Sequence, residues 1–374
     1  MKVAFRVDAS LQIGSGHVMR CLTLADALAV QGAQCYFLSR ELVGNLLALI
    51  RQRGYAVDVL PAPTEPTQVG APEGDKSDSR QRHFYKGWLG ISWEKDAEQT
   101  RTLVEKLQPD WLVIDHYALD QRWEDALRPH FKKLMVIDDL ADRAHQCDLL
   151  LDQNLGRAPL DYMSLVPAKC KVLTGPRYAL LRPEFALLRA YSLQRRQYPV
   201  IKQLLITMGG VDQSNTTGQV LQALRGCRLP PDCSITVVMG LQASWLEEVR
   251  ALALDMPWPT EVQVNINDMA QCMADSDLAI GAAGSTSWER CCLGLPTLLV
   301  VLADNQRAIA EALQGAGAAK TLNIASAVPE ACEVLSALVA DPRALHDMSI
   351  AAAHIVDGLG TASLVSHLSA LENS

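Results

Sequence analysis

A histidine stands in a glycine turn close to the start of the chain. The segment Gly14-Ser15-Gly16-His17 follows the apolar run Val3–Val7, which predicts a strand, and precedes a pattern that predicts an amphipathic helix over Val18–Val30. Such a turn brings backbone N–H groups and the positive helix end towards an anion, usually a phosphate. A neutral imidazole there can act as a general base near neutral pH. His17 is therefore a candidate catalytic base, and its alternative is a cap-region histidine without chemistry. The candidate substrate contacts beside it are Gly14, Ser15 and Gly16.

A second turn of this kind lies in the other half of the chain. The stretch from Gly281 to Glu289 follows the apolar run Leu278–Ile280 and starts a predicted helix. After Gly284, the amides and hydroxyls of Ser285 and Thr286 can hold a phosphate, and Glu289 can accept hydrogen bonds from ribose hydroxyls. The alternative is a capping box, Thr286-x-x-Glu289, in which Glu289 only satisfies the helix end. A phosphate-type turn in both halves favours the ligand.

Three more predicted strand ends carry glycine or polar residues. Gly209 and Gly210 end a strand and allow a ligand to approach the backbone closely. Carboxamides such as Asn305 and Gln306, at a helix start, can donate to and accept from sugar hydroxyls or N-acetyl groups. Asp115 and Tyr117 end a strand of the first half. The alternative in each case is a structural role in a turn or a helix cap, without a ligand.

Composition narrows the classes of protein to consider. The chain has 374 residues, 49% of them hydrophobic and 20% charged, enough for two domains with their own cores. A formal net charge of −8 without a basic run argues against a nucleic-acid partner. The ten cysteines form no C-x-x-C pair, and the adjacent Asp138 and Asp139 lack a third ligand at suitable spacing. We therefore expect no metal and no cofactor.

The N-terminus and the apolar segments bear on localisation. Met1-Lys2-Val3 leads directly into a strand, so we expect no signal peptide. We also expect no segment apolar enough to span a bilayer, and hence no membrane partner. A reduced, cytoplasmic compartment is the simplest interpretation.

Strand-like and helix-like segments alternate through most of the sequence, which predicts an α/β fold with parallel sheets. The two series of elements predict an N-terminal Rossmann-like domain over 1–195 and a C-terminal one over 196–374. The polar stretch 61–82 is predicted to be a long loop. Two doubly wound domains suggest a ligand in a cleft between them, at the carboxyl ends of both sheets.

A dinucleotide-binding site is excluded in detail. Met19 stands where the third glycine of such a fingerprint belongs, and the second strand ends on Leu38-Ser39-Arg40 without an acidic residue. We therefore do not expect a nicotinamide or flavin enzyme.

With these residues assembled, the chain resembles the nucleotide-sugar hydrolases of the pseudaminic acid pathway, which act on UDP-2,4-diacetamido-2,4,6-trideoxy-β-L-altropyranose. The resemblance runs in order from residue 1 to about 315. The matching segments of the first half are Arg6-x-Asp8, Ile13-Gly14-x-Gly16-His17-x-x-Arg20-Cys21, Trp88-Leu89-Gly90, Asp115-His116-Tyr117, Ile137-Asp138-Asp139-Leu140 and Gly175-Pro176-x-Tyr178. Those of the second half are Gly209-Gly210-x-Asp212, Gly284-Ser285-Thr286-x-Trp288-Glu289 and Asn305-Gln306.

The resemblance implies a GT-B fold, with two Rossmann-like domains facing a central cleft and UDP held mainly by the second. It also implies hydrolysis by inverting attack of water at the anomeric carbon, with His17 as the base. The second-half pattern is shared with inverting glycosyltransferases that make peptidoglycan lipid intermediates, so a UDP-sugar glycosyltransferase is the alternative. A non-enzymatic nucleotide-sugar binding module is the third possibility. The helices after about 320 are not diagnostic, and we expect the last to pack on the first domain.

Overall fold

The computed structural model describes residues 1–63, 85–240, 243–322 and 328–372, with side chains at 328–331 left aside. The chain folds into two compact units. The first comprises Met1–Leu180 and Thr361–Ser374, and the second comprises Leu181–Gly360. The predicted loop over 61–82 falls outside the described residues from residue 64 onwards.

The first unit is built on a seven-stranded sheet with the order β3-β2-β1-β4-β5-β6-β7 and parallel pairing throughout. Its central strands are apolar and buried, as parallel strands covered on both faces must be. The strands are β1 (Lys2–Val7), β2 (Gln34–Arg40), β3 (Ala56–Leu60), β4 (Trp111–Asp115), β5 (Lys133–Ile137), β6 (Leu149–Asp152) and β7 (Lys171–Thr174). The helices are α1 (Gly16–Val30), α2 (Leu47–Gln52), α3 (Trp93–Leu107) and α4 (Gln121–Leu127).

The second unit has a six-stranded parallel sheet with the order β10-β9-β8-β11-β12-β13. The strands are β8 (Gln203–Thr207), β9 (Ser234–Met239), β10 (Thr260–Val264), β11 (Leu278–Ala282), β12 (Thr297–Val300) and β13 (Ala319–Leu322). The helices are α5 (Pro183–Arg195), α6 (Thr216–Leu224), α7 (Leu246–Leu254), α8 (Met269–Asp275), α9 (Thr286–Cys292), α10 (Arg307–Gly315), α11 (Val328–Ala340) and α12 (Pro342–Ile355). The predicted class of two doubly wound parallel sheets is confirmed.

The division of the chain differs from the predicted boundary near residue 195. Helix α5 lies wholly within the second unit, where Arg189 donates to the Val356 carbonyl oxygen and Ser192 to that of Leu293. At the other end, α13 (Gly360–Glu372) returns to the first unit, where Leu364, Val365 and Leu368 lie in the core. The hydrogen bonds of α5 set the first boundary, and the burial of the apolar side chains of α13 sets the second.

One stretch contradicts the expectation that no segment can span a membrane. By length and composition, Pro342–Glu372 is apolar enough. The stretch is nevertheless two helices, α12 and α13, separated by non-helical residues 356–359. Leu345 and Met348 of α12 lie in the core of the second unit, whereas α13 belongs to the first. The apolar side chains of Pro342–Glu372 therefore pack in the cores of the two units.

Candidate active site

Each sheet has one point where its strand order reverses direction, and the predicted site residues gather there. In the first unit this point lies between β1 and β4, so the turn after β1 and the end of β4 are neighbours. In the second it lies between β8 and β11, where Gly281 pairs with Thr207. Loops that leave adjacent strands in opposite directions open a crevice for a ligand at this point.

His17 is held by a hydrogen bond from one ring nitrogen. It occupies the second position of α1, after the left-handed Gly14 (φ 78°) and the turn bond from the Gly14 N–H to the Ser10 carbonyl. Its Nδ1 lies 2.5 Å from Asp115 Oδ1. A carboxylate can only accept, so Nδ1 carries the hydrogen and the lone pair stays on Nε2. Among the described residues Nε2 has no hydrogen-bond partner, and this nitrogen is free to accept a proton.

Asp115 is itself fixed from a second side. Arg20, one turn along α1 from His17, binds both carboxylate oxygens at 2.6 and 2.7 Å and reaches Asp139 at 2.8 Å. Burial alone would raise the pKa of Asp115, but the charge of Arg20 and the hydrogen bonds from Arg20 and His17 outweigh it and hold that pKa well below its usual range. Asp115 therefore stays ionised. It is 1% exposed, and both of its oxygens accept from Arg20. We therefore propose that it supports His17, in place of the direct substrate contact that the sequence predicts.

Aromatic rings enclose the other side of the imidazole. The Tyr117 ring meets His17 edge to face with 4.7 Å between centroids, and its hydroxyl donates to Asp139 at 2.6 Å. Trp88 stacks on Tyr117 at 5.4 Å, and Tyr85 contacts both rings. Tyr117 is 7% exposed, and its ring is in contact with that of His17. We expect it, like Asp115, to fix the position of His17.

A buried charged network lies behind this site. Arg6 binds Asp8 at 2.7 Å and Asp96 at 2.6 Å, and Arg40 also binds Asp96 at 2.6 Å. The Asp8 carboxylate accepts from the backbone N–H of Arg40 and lies 3.3 Å from His116. The two positive and two negative side chains cancel, and they fix the ends of β1 and β2 beneath the His17 turn.

The turn after β11 does not form the capping box that the sequence allowed. Ser285, not Thr286, is the N-cap residue of α9, and no side-chain hydrogen bond caps this helix. Gly284 has open space around its α-carbon, where only the Gln306 amide nitrogen would approach a side chain. The Ser285 and Thr286 hydroxyls are thus not used as caps.

Glu289 has no hydrogen bond or ion pair with any described residue. Burial raises its pKa to about 7, although the nearby Arg182 and Arg290 act in the opposite direction. A carboxyl that is removed from water and has no protein partner can still form hydrogen bonds with a ligand. The structure therefore leaves Glu289 available to a ligand and removes the helix-end role that competed with it.

The turn after β8 has two glycines and a well-capped helix. Gly209 takes a left-handed backbone (φ 91°), and Gly210 passes so close to Gly240 that a Cβ there would lie 2.0 Å from the Gly210 carbonyl oxygen. Asn215 caps α6 by accepting from the Gly218 N–H, and Asp212 accepts from the N–H groups of Thr216 and Thr217. Both glycines lie in the turn that follows β8.

Asn305 and Gln306 lie in the turn after β12. The Gln306 side chain accepts from the Leu302 N–H at 2.9 Å, so part of its capacity supports its own loop. Asn305 makes no side-chain hydrogen bond with a described residue. Of this pair, Asn305 is the freer ligand group.

The sequence-predicted residues thus form two groups, one in each unit, while sequence reasoning gave no role to Arg20, Asp139, Trp88 or Arg290. Arg20 was visible as part of the His17 helix, one turn away. Within the described parts of the chain, no three His, Cys, Asp or Glu side chains are grouped to hold a metal. Cys227 and Cys332 form a disulfide, so the expectation of reduced cysteines does not hold for this pair.

The fold and the site can now be set against known proteins. MurG of Acinetobacter baumannii superposes with a TM-score of 0.66 at 19% identity, over 98% of this chain and 99% of that one. The rhamnosyltransferase SpnG complexed with thymidine diphosphate gives 0.69 at 16% identity, over 98% and 99%. These likenesses define the class: the chain has the GT-B fold.

Sequence comparison adds a finer relation. Residues 205–359 match the glycosyltransferase family 28 C-terminal domain. An uncharacterised protein of Methanocaldococcus jannaschii is 25% identical over 82% of this chain. The UDP-2,4-diacetamido-2,4,6-trideoxy-β-L-altropyranose hydrolase of Campylobacter jejuni is 29% identical over 60% of it. The matches span 57% and 66% of these relatives' own lengths. Together they show that parts of the chain are similar to a glycosyltransferase family 28 C-terminal domain and to a nucleotide-sugar hydrolase.

Proposed function

We propose that the chain hydrolyses a UDP-linked 2,4-diacetamido-2,4,6-trideoxy sugar to free sugar and UDP, with His17 as the general base. The observation that carries this proposal is the anchoring of His17 Nδ1 on Asp115 at 2.5 Å, with Nε2 unengaged. The 29% identity to a hydrolase of this substrate class supports the choice of reaction. Eight of the ten cysteines are free, which favours the cytoplasm as the compartment.

In this reaction Nε2 takes a proton from a water molecule while the water oxygen forms a bond to the anomeric carbon. The bond from that carbon to the phosphate oxygen breaks, and its electron pair leaves with UDP. We assign UDP to the second unit, and the sugar to the turn that precedes α1. The proposed UDP contacts are Gly209, Gly210, Gly284, Ser285, Thr286 and Glu289, with Asn305 and Gln306 towards the sugar. Backbone N–H groups and hydroxyls stabilise the developing charge on the leaving group.

A UDP-sugar glycosyltransferase is the second candidate, because the family matched by residues 205–359 is one of glycosyltransferases. Only the acceptor would differ, since a sugar or lipid hydroxyl would replace water. Incubating the protein with UDP-sugars of this class without an acceptor separates the two. Hydrolysis releases free sugar and UDP in equal amounts, whereas a transferase shows only slow release until an acceptor is added.

Labelled water tests the bond that breaks. Attack at the anomeric carbon puts the water oxygen into the sugar, and attack at phosphorus puts it into the nucleotide. His17→Asn should lower turnover by about 10²–10⁴, the usual contribution of a positioned general base. UDP affinity should change far less. Label in the nucleotide, or turnover near the parent rate, would remove His17 from this role.

A further inference from the structure

Arg290 is a buried cation without a carboxylate partner. Its side chain is 1% exposed, yet no Asp or Glu oxygen among the described residues lies within ion-pair distance. The guanidinium donates to the Ala282 carbonyl at 2.7 Å, to Ser287 Oγ at 3.0 Å and, weakly, to Thr286 Oγ1 at 3.5 Å. Its Nε has no partner. All of its contacts are therefore neutral groups.

The other buried arginines of the described chain are neutralised in one of two ways. One set has carboxylate partners at hydrogen-bond distance, comprising Arg6, Arg20 and Arg40. Arg196 instead has no carboxylate at ion-pair distance among the described residues and donates to the backbone carbonyls of Ser192, Met273, Ala274 and Ser276, the last three at or just after the end of α8. Arg290 has one carbonyl. Burial lowers the pKa of Arg290 to about 10, so it remains charged at neutral pH.

The charge lies directly beneath the turn that connects β11 and α9. Its hydrogen bonds go to the residues that flank this turn, Ala282 at the end of β11 and Thr286 and Ser287 at the start of α9. A Cβ at Gly281 would lie 2.4 Å from Arg290 Nη1, so the absence of a side chain there makes room for the guanidinium. A buried charge is stable only when an opposite charge or dipoles compensate it. The neighbouring Glu289 carboxyl acts on Arg290 but forms no ion pair with it, so the described residues compensate this charge only in part.

We propose that the diphosphate of the bound nucleotide is the missing counter-charge of Arg290. The inference rests on the proposed function and deepens it by assigning the charge that selects a nucleoside diphosphate over an uncharged nucleoside. Arg290 is a positioning residue, because it acts through the Thr286 and Ser287 hydroxyls and the peptide groups of the turn. As the sugar–oxygen bond breaks, negative charge grows on the leaving phosphate, and the same cation stabilises it further.

The test compares uridine, UMP and UDP as ligands of the parent protein and of Arg290→Gln, in EDTA so that no metal supplies charge. The glutamine retains a hydrogen-bond donor but not the charge, and Arg290→Lys retains the charge. In the parent, affinity should increase from uridine to UDP. In Arg290→Gln we expect UDP to bind about 10- to 100-fold more weakly and uridine less than about 3-fold more weakly. Arg290→Lys should recover most of the UDP affinity.

Arg189→Met is the matched control. Arg189 also lacks a carboxylate partner among the described residues, but it binds the carbonyls of Cys292, Ala353 and Val356 at the other end of α9. Its loss should reduce stability without changing the ratio of UDP to uridine affinity. If Arg290→Gln does not fold, Arg290→Met takes its place, and Arg290→Lys, if folded, must still discriminate UDP from uridine as the parent does.

The outcomes are distinguishable. An unchanged ratio of UDP to uridine affinity in Arg290→Gln would overturn this inference and leave the proposed function standing. Equal loss of UDP affinity in Arg290→Lys and Arg290→Gln would do the same, because shape rather than charge would then matter. A parent protein that binds neither ligand would overturn the proposed function and, with it, the role of Arg290.

Discussion

At the scale of single residues, the site of the first unit is a shared carboxylate. Asp115 accepts from His17 through one oxygen and from Arg20 through both. Arg20 offsets the charge of Asp115 and is in turn bound by Asp139. Asp115 can therefore fix the tautomer and orientation of the imidazole without a large excess of negative charge beside it. The hydrogen bond from Nδ1 to Asp115 therefore lowers the free-energy cost of keeping Nε2 in one orientation.

Asp115→Asn should lower turnover by about 10²-fold or more, because an amide can present its NH2 to Nδ1 and thereby favour the other tautomer. The KM for the UDP-sugar should change little, since Asp115 does not touch the ligand in the proposed arrangement. Steady-state kinetics over several pH values would measure both. Asp110→Asn is the control, because Asp110 lies at the opposite end of β4, where it binds Lys132 and the Lys2 N–H. A fall in kcat of the same size in both variants would contradict a specific role for Asp115.

At the scale of elements, the turn between β11 and α9 combines half-buried hydroxyls with a carboxyl that has no partner among the described residues. The raised pKa of Glu289 means that the folded chain holds a proton that the unfolded chain loses. Protonation of Glu289 therefore stabilises the folded chain at low pH. This stabilisation decreases as the pH rises from the usual pKa of a glutamate through about 7. Glu289 therefore lowers the stability of the folded chain near and above neutral pH, while its carboxyl can bind a ligand.

Glu289→Gln should be more stable than the parent at pH 8, by about 1–2 kcal/mol, and equally stable near pH 4. UDP should bind it more weakly, and the increase in UDP affinity between pH 6 and 8 should be smaller than in the parent. Denaturant unfolding at pH 4 and pH 8 measures the stability, and calorimetry at pH 6 and pH 8 measures the UDP affinity. Glu247→Gln, at an exposed position of α7, should show neither effect. A destabilised Glu289→Gln with parent-like UDP binding would instead support a purely structural role.

At the scale of the whole molecule, the chain starts and ends in the same unit. Helix α13 places Leu364, Val365 and Leu368 in the core of the first unit after the chain has built the second. The first unit is therefore complete only when the last residues are folded, although its sheet is finished by Thr174.

Leu364→Ala should reduce the unfolding free energy of the first unit by about 2–5 kcal/mol, because it removes a fully buried side chain and leaves a cavity. UDP binding, assigned to the second unit, should be nearly unchanged. Thermal unfolding followed with and without UDP would separate the two units. Leu359→Ala, at a position 59% exposed, should leave stability within about 0.5 kcal/mol. Loss of UDP affinity in Leu364→Ala alone would argue that the nucleotide depends on the first unit.

The sequence by itself determined the class of fold and the positions of the two turns. Buried parallel strands are continuous apolar runs, so β1, β4, β8 and β11 stand out, and the sequence pattern over Trp93–Leu107 predicts helix α3 with the limits that the structure shows. Such runs do not predict β7 and β13. Both strands are four residues long, stand at sheet edges and contain lysine and threonine, so they lack that apolar signal. The helical pattern that contains α2 starts at Leu42, but the helix begins at Leu47 because the chain first turns at Gly44 (φ 82°).

Only the tertiary structure decided which charges meet. His17 and Asp115 are 98 residues apart, and they pair because β1 and β4 are adjacent where the strand order reverses. Arg20 lies on the same helix as His17, and Asp139 joins them because it follows β5, the other neighbour of β4 in the sheet. Glu289 and Arg290, by contrast, have no cationic and no carboxylate partner, respectively, among the described residues. Periodicity reports which residues are buried and in which element. It does not report strand order, and strand order brings distant side chains to the same edge of a sheet.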